Sequence, residues 1–224
     1  MSEDFTVVIW GAGALGFGLV GALAYEAGHE VVAVVRHSTT NKAKADRVES
    51  LQTRHRYTVG DADPRVVRLA KVIRNDTTQG RTALDRLLRT RKNILFCTTA
   101  RAGQSDAVPI IERAREERRR DGNPGVLLLA PCENEVASPL AALKVSLAGP
   151  GFGYLDSMVD RICFEPVSRS GLVHVSCEPG YEWAYGSRAG SAPRRSSTGW
   201  WPVSTRCTSI GWLTSVRSSS ASSG

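Results

Sequence analysis

Apolar residues in this chain gather into short runs without polar alternation, separated by stretches in which they recur at helical spacing. Phe5 to Ile9 is the first run, rich in β-branched residues and ending in glycines. Ala14 to Ala27 then carries apolar residues every three or four positions, so a strand, a tight turn and a helix are predicted. Val31 to Val35 follows Gly28 after a two-residue interval and reads as a strand buried on both faces. A polar stretch through Tyr57, a short apolar run near Val66 to Ile73 and a helix over Thr82 to Thr90 come next.

"NILFCTTA" (Asn93 to Ala100) is another buried strand, Ser105 to Arg120 its crossover helix, and "GVLLLAPCEN" (Gly125 to Asn134) a strand running into a polar loop. Strands that alternate with helices imply a parallel sheet covered on both sides, and five strands fit before residue 135. Val136 to Leu147 reads as a helix. Leu172 to Glu178, "LVHVSCE", alternates like a half-buried strand.

The first turn carries "GAGALGFG", with Gly11, Gly13 and Gly16 in GxGxxG order and Gly18 at the next spacing. The first glycine lets the chain leave the strand sharply, the second lets a pyrophosphate approach the backbone, and the third lets the helix pack on the sheet. A diphosphate would then meet the amides of the helix starting near Ala14. With Ala12, Ala14 and Leu15 completing the loop, this predicts a Rossmann-type dinucleotide-binding domain in an α/β fold. Its expected extent, with an extension toward a second domain, is residues 1–186.

The choice of dinucleotide turns on the end of the second strand, where NAD sites offer an acid to the ribose 2′-hydroxyl. Here the sequence is "AVVRHSTT", with Val35, Arg36, His37 and Ser38 and no carboxylate. Arg36, assisted by His37 or Ser38, would pair with a 2′-phosphate, so NADP is tolerated or preferred; the other reading is an arginine that simply follows a strand into solvent. NAD and NADP both remain candidate cofactors.

Composition changes this picture little until the C-terminus. The 224 residues are 42% hydrophobic, enough for one core and part of another domain. No run approaches the ~20 apolar residues that cross a bilayer, and the first charges, Glu3 and Asp4, are acidic, so a cytoplasmic protein without membrane contact is expected. The five cysteines show no CxxC spacing and read as buried thiols rather than a metal or disulfide framework. The net charge of +7 does not point to nucleic acid: residues 1–187 hold 24 Lys or Arg against 22 acids, and the remaining five arginines lie beyond. "RAREERRR" (Arg113 to Arg120) alternates in sign and reads as a solvated helix face.

Near the nicotinamide end, Asn134 of "PCENE" follows the fifth strand and would donate to a carbonyl oxygen gaining charge. Asp156 and Asp160 of "LDSMVDRI" read from spacing as a surface turn or helix. His29, His55 and His174 sit where structure rather than proton transfer explains them.

These pieces together resemble the polyol-specific long-chain dehydrogenase family: "GAGALGFG" (11–18), "RHRYTV" (54–59), "CENEV" (132–136), "GFGYLDSMVDRI" (151–162) and "VSCEPGYEW" (175–183) run in family order. The resemblance covers roughly residues 5–185. It implies a dinucleotide domain followed by a mostly helical domain, of which this chain holds an incomplete start. It also implies a monomer and reversible oxidation of a polyol phosphate, mannitol 1-phosphate, to fructose 6-phosphate. By the same resemblance Asn134 polarises the substrate oxygen and Asp160 supports the electrostatics of a catalytic cleft.

Two departures accompany it. Val35 stands where the family has its ribose-binding aspartate, and no lysine follows Lys144 to serve as the family's general acid/base. Residues 187–224 form a Ser/Arg/Trp-rich tail, and from 188 onward it holds 11 serines and three tryptophans with no Asp, Glu, Lys or His. A frameshifted ending accounts for both that composition and the missing lysine, and a domain shortened in this way would expose apolar surface and favour self-association.

Overall fold

The computed structural model describes residues 5–11, 13–99, 101–132, 139–147, 149–160, 162–178 and 182–186. Every residue of β1 (Thr6–Trp10) is buried, as are all but the first of β2 (Glu30–Val35). The same holds throughout β6 (Ile94–Thr98) and β7 (Leu127–Pro131). Such strands lack polar alternation because each face meets a separate core.

Between β2 and β6 the chain forms α2 (Lys42–Arg54), β3 (Arg56–Val59), β4 (Arg65–Arg68), β5 (Lys71–Arg74) and α3 (Thr78–Thr90). After β6 come α4 (Arg101–Arg120) and, beyond β7, a 3-10 turn (Pro139–Ala142), α5 (Leu143–Ser146) and β8 (Phe152–Tyr154). Six strands make one sheet in the order β5-β2-β1-β6-β7-β8, and every neighbouring pair is parallel. Ranked by their position in the chain, these strands read 3-2-1-4-5-6, the doubly wound order of Rossmann-type domains. The expected α/β fold is the observed one.

One core contains Val8, Trp10, Phe96, Leu127 and Leu129 against Leu84, Leu87 and Leu88 of α3 and Ala107, Ile111 and Ala114 of α4. The other joins Val7, Ile9, Leu95 and Cys97 to Phe17, Leu19 and Val20 of the first helix, Val48 and Leu51 of α2, and Tyr57, Val59, Val173 and Val175. These last four come from a second sheet, ordered β10-β11-β3-β4, where β10 is Val167–Arg169 and β11 is Leu172–Val175. β11 lies parallel to β3, with Val173 opposite Tyr57. β9 (Asp156–Asp160) and β12 (Glu182–Gly186) pair with each other, antiparallel.

The structure departs from the expected elements in several places. The polar stretch through Tyr57 contains α2, capped by the Asn41 side chain, which accepts from the Lys44 amide at 3.0 Å. Only Val48 and Leu51 of that helix are buried, too few for a periodic apolar signal. The run from Val66 to Ile73 is two strands in different sheets, so seven strands rather than five precede residue 132. Asp156 and Asp160 lie on a strand, not a turn or helix. The elements described after Pro150 are all strands, so the start of a helical second domain does not lie among the described residues there. The tail, 187–224, lies outside the described residues.

The basic run of α4 is not simply a solvated face. Arg118 is 3% exposed, and its guanidinium donates to the carbonyls of Leu88 at 2.9 Å, Arg91 at 2.6 Å and Lys92 at 2.7 Å. It thereby satisfies carbonyls at the C-terminal end of α3 that a helix cannot pair internally. Arg115 donates to the Pro150 carbonyl at 2.6 Å, and Arg119 pairs with Glu116 at 2.9 Å. Sign alternation alone could not reveal that one arginine points inward.

Candidate dinucleotide-binding site

In a 3-2-1-4-5-6 sheet the crossovers from the first and fourth strands leave in opposite directions, opening a crevice beyond their C-terminal ends. Here that point lies between β1 and β6. Gly11 follows β1 with a φ of 90°, a left-handed conformation that favours glycine. The Gly13 amide donates back to the Gly11 carbonyl at 2.8 Å, and the Phe17 amide to the Gly13 carbonyl at 3.0 Å. The turn is closed by its own backbone.

The glycines differ in what surrounds them. A Cβ on Gly16 would lie 2.8 Å from both Ile9 Cγ2 and Thr99 Oγ1 and 2.9 Å from the Gly11 carbonyl oxygen, so only hydrogen fits. A Cβ on Gly13 would meet nothing within 4 Å. Gly13 is thus an open place on the loop, where a group approaching the backbone would find room. Ala14 and Leu15, both half-buried, begin the helix behind it; Ala12 lies outside the described residues.

That helix passes through a π-helical segment, Gly16–Gly21, before continuing as α1 (Ala22–Glu26). Tyr57 donates its hydroxyl to the Phe17 carbonyl at 3.0 Å within this segment, and the two rings lie 4.4 Å apart. Burial, with a smaller contribution from Cys177, pushes the Tyr57 hydroxyl well above its usual pKa and keeps it a donor. Gly18 makes room for Cys163 and Val175, and Gly21 for Tyr57, so the last glycine of the motif and Gly21 beyond it serve packing.

Thr98 ends β6 and Thr99 follows it, and neither stood out in the sequence. Thr99 donates its amide to the Trp10 carbonyl at 3.1 Å and its hydroxyl to the Gly11 carbonyl, bracing the loop from the neighbouring strand. Thr98 Oγ1 is buried and makes no hydrogen bond among the described residues.

At the end of β2, Arg36 forms an ion pair with Asp106 of α4 at 2.8 Å, with both side chains at least half exposed. The His37 amide donates to Asp76 Oδ1 at 3.3 Å, and Asp76 is held by Arg74 at 2.6 Å. The Arg74 hydrogen bond, outweighing desolvation, brings the Asp76 carboxyl down to about 2. Two carboxylates, Asp106 of α4 and Asp76 from the turn between β5 and α3, thus reach the end of β2 only through folding. Ser38 Oγ accepts from the Asn41 amide at 3.0 Å at the start of α2.

The histidines sort as structural. His29 is buried, its Nδ1 3.5 Å from the Phe5 amide, and His55 caps α2 with a φ of 50°. His174 Nδ1 meets Thr58 Oγ1 at 2.9 Å, while its Nε2 lies 3.3 Å from Asp61 and 3.4 Å from Ser176. Ser176 and His174 hold the Asp61 carboxyl below its usual range. Asp61 and Ser176 share one ring nitrogen, so the group is not a serine-to-aspartate relay; it ties the Gly60–Asp63 loop to β11.

Asn134 lies outside the described residues, and Asp160 is placed only as the last residue of β9, opposite Glu182. Among the described residues no three His, Cys, Asp or Glu side chains gather in a way that would hold a metal, and no helix is long and apolar enough to cross a membrane. A hollow lined by Arg89, Lys92 and Asp121 lies at the opposite end of the strands, before β6 and β7 begin. No protein-family model matches the chain, and no curated protein matches it in sequence.

Proposed function

We propose that this chain binds a nicotinamide dinucleotide, NAD or NADP, in the crevice between β1 and β6, as a module of a polyol-phosphate dehydrogenase. The activity its motifs most resemble is that of mannitol-1-phosphate 5-dehydrogenase. One observation carries the binding reading: in a 3-2-1-4-5-6 sheet, the loop at the switch point has a packed glycine at Gly16 and an open one at Gly13. Gly11 and Gly13 would let the diphosphate approach the backbone, and the helix beginning at Ala14 and Leu15 would offer amides to it. Thr99 would hold the turn while it binds.

The bound nicotinamide would supply the acceptor or donor of hydride. The chain's part would be to orient the substrate oxygen through Asn134 and to set the local field through Asp160, roles that rest on the motif resemblance. Arg36 would turn from Asp106 toward a 2′-phosphate, while Asp76 near the His37 amide offers the carboxylate chemistry that suits a ribose 2′-hydroxyl. The second reading is a non-catalytic dinucleotide-binding remnant or interaction domain, which would bind the dinucleotide without turnover.

Titration calorimetry with NADH and NADPH tests the first step, and absorbance of reduced nicotinamide with fructose 6-phosphate tests the second. Saturable binding that disappears in Gly13→Ala, together with substrate-dependent oxidation, is the expected result. Binding without oxidation selects the second reading. No binding of either dinucleotide would overturn both.

A further inference from the structure

The segment before β10 and the segment after β11 meet at Cys163 and Cys177, which form an isolated antiparallel bridge. The Phe164 amide donates to the Ser176 carbonyl at 2.8 Å and the Glu178 amide to the Ile162 carbonyl at 3.1 Å. Hydrogen bonds on both sides of the pair, but not within it, define a non-hydrogen-bonded antiparallel site. Opposed Cα atoms there lie about 4.5 Å apart, inside the roughly 4.4–6.8 Å that a disulfide spans.

Access separates Cys163 from the other described cysteines. Cys97 and Cys132 are fully buried, and the Cys97 thiol is pushed well up by its hydrogen bond with Cys132 and by burial, which keeps it unreactive. Cys163 is half-buried and Cys177 buried, an arrangement that suits an attacking thiol and a resolving one. Both rest against the helix of the glycine loop: a Cβ on Gly18 would lie 2.6 Å from Cys163 Sγ, and Cys177 Sγ is 3.8 Å from the Gly18 carbonyl oxygen.

We propose that Cys163 and Cys177 are a redox-responsive pair that closes to a cross-strand disulfide and clasps the ends of the β10–β11 hairpin beside the glycine-loop helix. The oxidant is a small disulfide of the glutathione type. The Cys163 thiolate attacks one sulfur of oxidised glutathione, breaking its S–S bond and releasing one glutathione thiolate. The Cys177 thiolate then attacks the Cys163 sulfur of the mixed disulfide and releases the second glutathione thiolate. The two protons lost by the cysteines end on the two glutathione molecules, which take up the two electrons. This inference stands whether or not the crevice binds a dinucleotide.

The test incubates the full chain with oxidised glutathione and maps its peptides without reduction. The expected product joins the Cys163 and Cys177 peptides at a mass lower by two hydrogen atoms, and the melting temperature rises by roughly 5–10 °C. Cys163→Ser and Cys177→Ser abolish the link, and Cys207→Ser keeps it. Circular dichroism, with Cys163→Ala as a second variant, separates loss of the bond from loss of the fold. A mixed disulfide that stops at Cys163, a link from Cys163 to any other cysteine, or unmodified thiols where the guanidine-unfolded chain oxidises would each overturn the proposal.

Discussion

Thr99 stands over Gly16: the threonine hydroxyl oxygen sits 2.8 Å from where a Cβ on the glycine would be. The same hydroxyl donates to the Gly11 carbonyl, so one side chain braces the start of the loop and fills the space a side chain at Gly16 would need. Gly16→Ala is expected to destabilise the fold by about 1–3 kcal/mol, since Ile9 and the Gly11 carbonyl crowd the new methyl as well. Denaturant unfolding of Gly16→Ala, Thr99→Ala and the double variant measures it. Strict additivity of the two would deny that the new methyl meets Thr99.

Gly13→Ala behaves in the opposite way. Its Cβ enters open space, so stability stays level or rises by about 0.4–1 kcal/mol through the unfolded chain's lost freedom. Dinucleotide binding falls by at least tenfold in calorimetry. The pair of glycine variants thus divides a packing role from a ligand role at positions three residues apart.

If the crevice binds a dinucleotide as proposed, Arg36 would discriminate between the two cofactors. Its pair with Asp106 is solvent-exposed and worth on the order of 0–1 kcal/mol, too little to withhold the guanidinium from a phosphate. Arg36→Ala is expected to weaken NADPH while leaving NADH nearly unchanged, and Asp106→Asn to favour NADPH. Parallel losses for the two cofactors in Arg36→Ala would remove Arg36 from the site.

Asp76 has a depressed carboxyl pKa, about 2, because Arg74 donates to it. A depressed acid stabilises the fold above its unfolded value of roughly 3.9, and that contribution is lost as pH falls through about 2. Carboxyl carbon resonances followed through an acid titration should place Asp76 well below the other exposed acids. Arg74→Gln should return it to the ordinary range; an Asp76 midpoint unaffected by that change would refute the cause.

Arg118→Ala leaves the Leu88, Arg91 and Lys92 carbonyls without their shared donor. The expected loss is about 2–4 kcal/mol in urea unfolding. Lysine, a single point donor, should restore only part of it. Full rescue by Arg118→Lys would mean that charge, not the guanidinium fork, closes the end of α3.

Much of the parallel sheet was legible because β1, β2, β6 and β7 are apolar over all but their terminal residues, and a strand buried on both faces can be read from its own residues. The glycine turn was legible for a similar reason, as its spacing is local. The second sheet was not: Tyr57 is fully buried only because Val173 and Phe17 come to it from distant parts of the chain. Asp76 and Asp106 escaped notice because they reach the end of β2 from other elements. Arg118 looked like its neighbours, and only the end of α3 tells it apart.

The register of β3 beside β11 sets a timing problem for the chain as it leaves the ribosome. Tyr57 and Val59 pair with Val173 and Val175, so a nascent chain must extend past β11 before β3 gains that neighbour. Until then β3 and β4 are a two-stranded sheet resting on the first helix and α2, without the strand that completes it. Contacts this far apart in sequence slow folding. A fragment cut after β8 would hold every strand of the six-stranded sheet and still release an unfinished product, prone to strand-edge association.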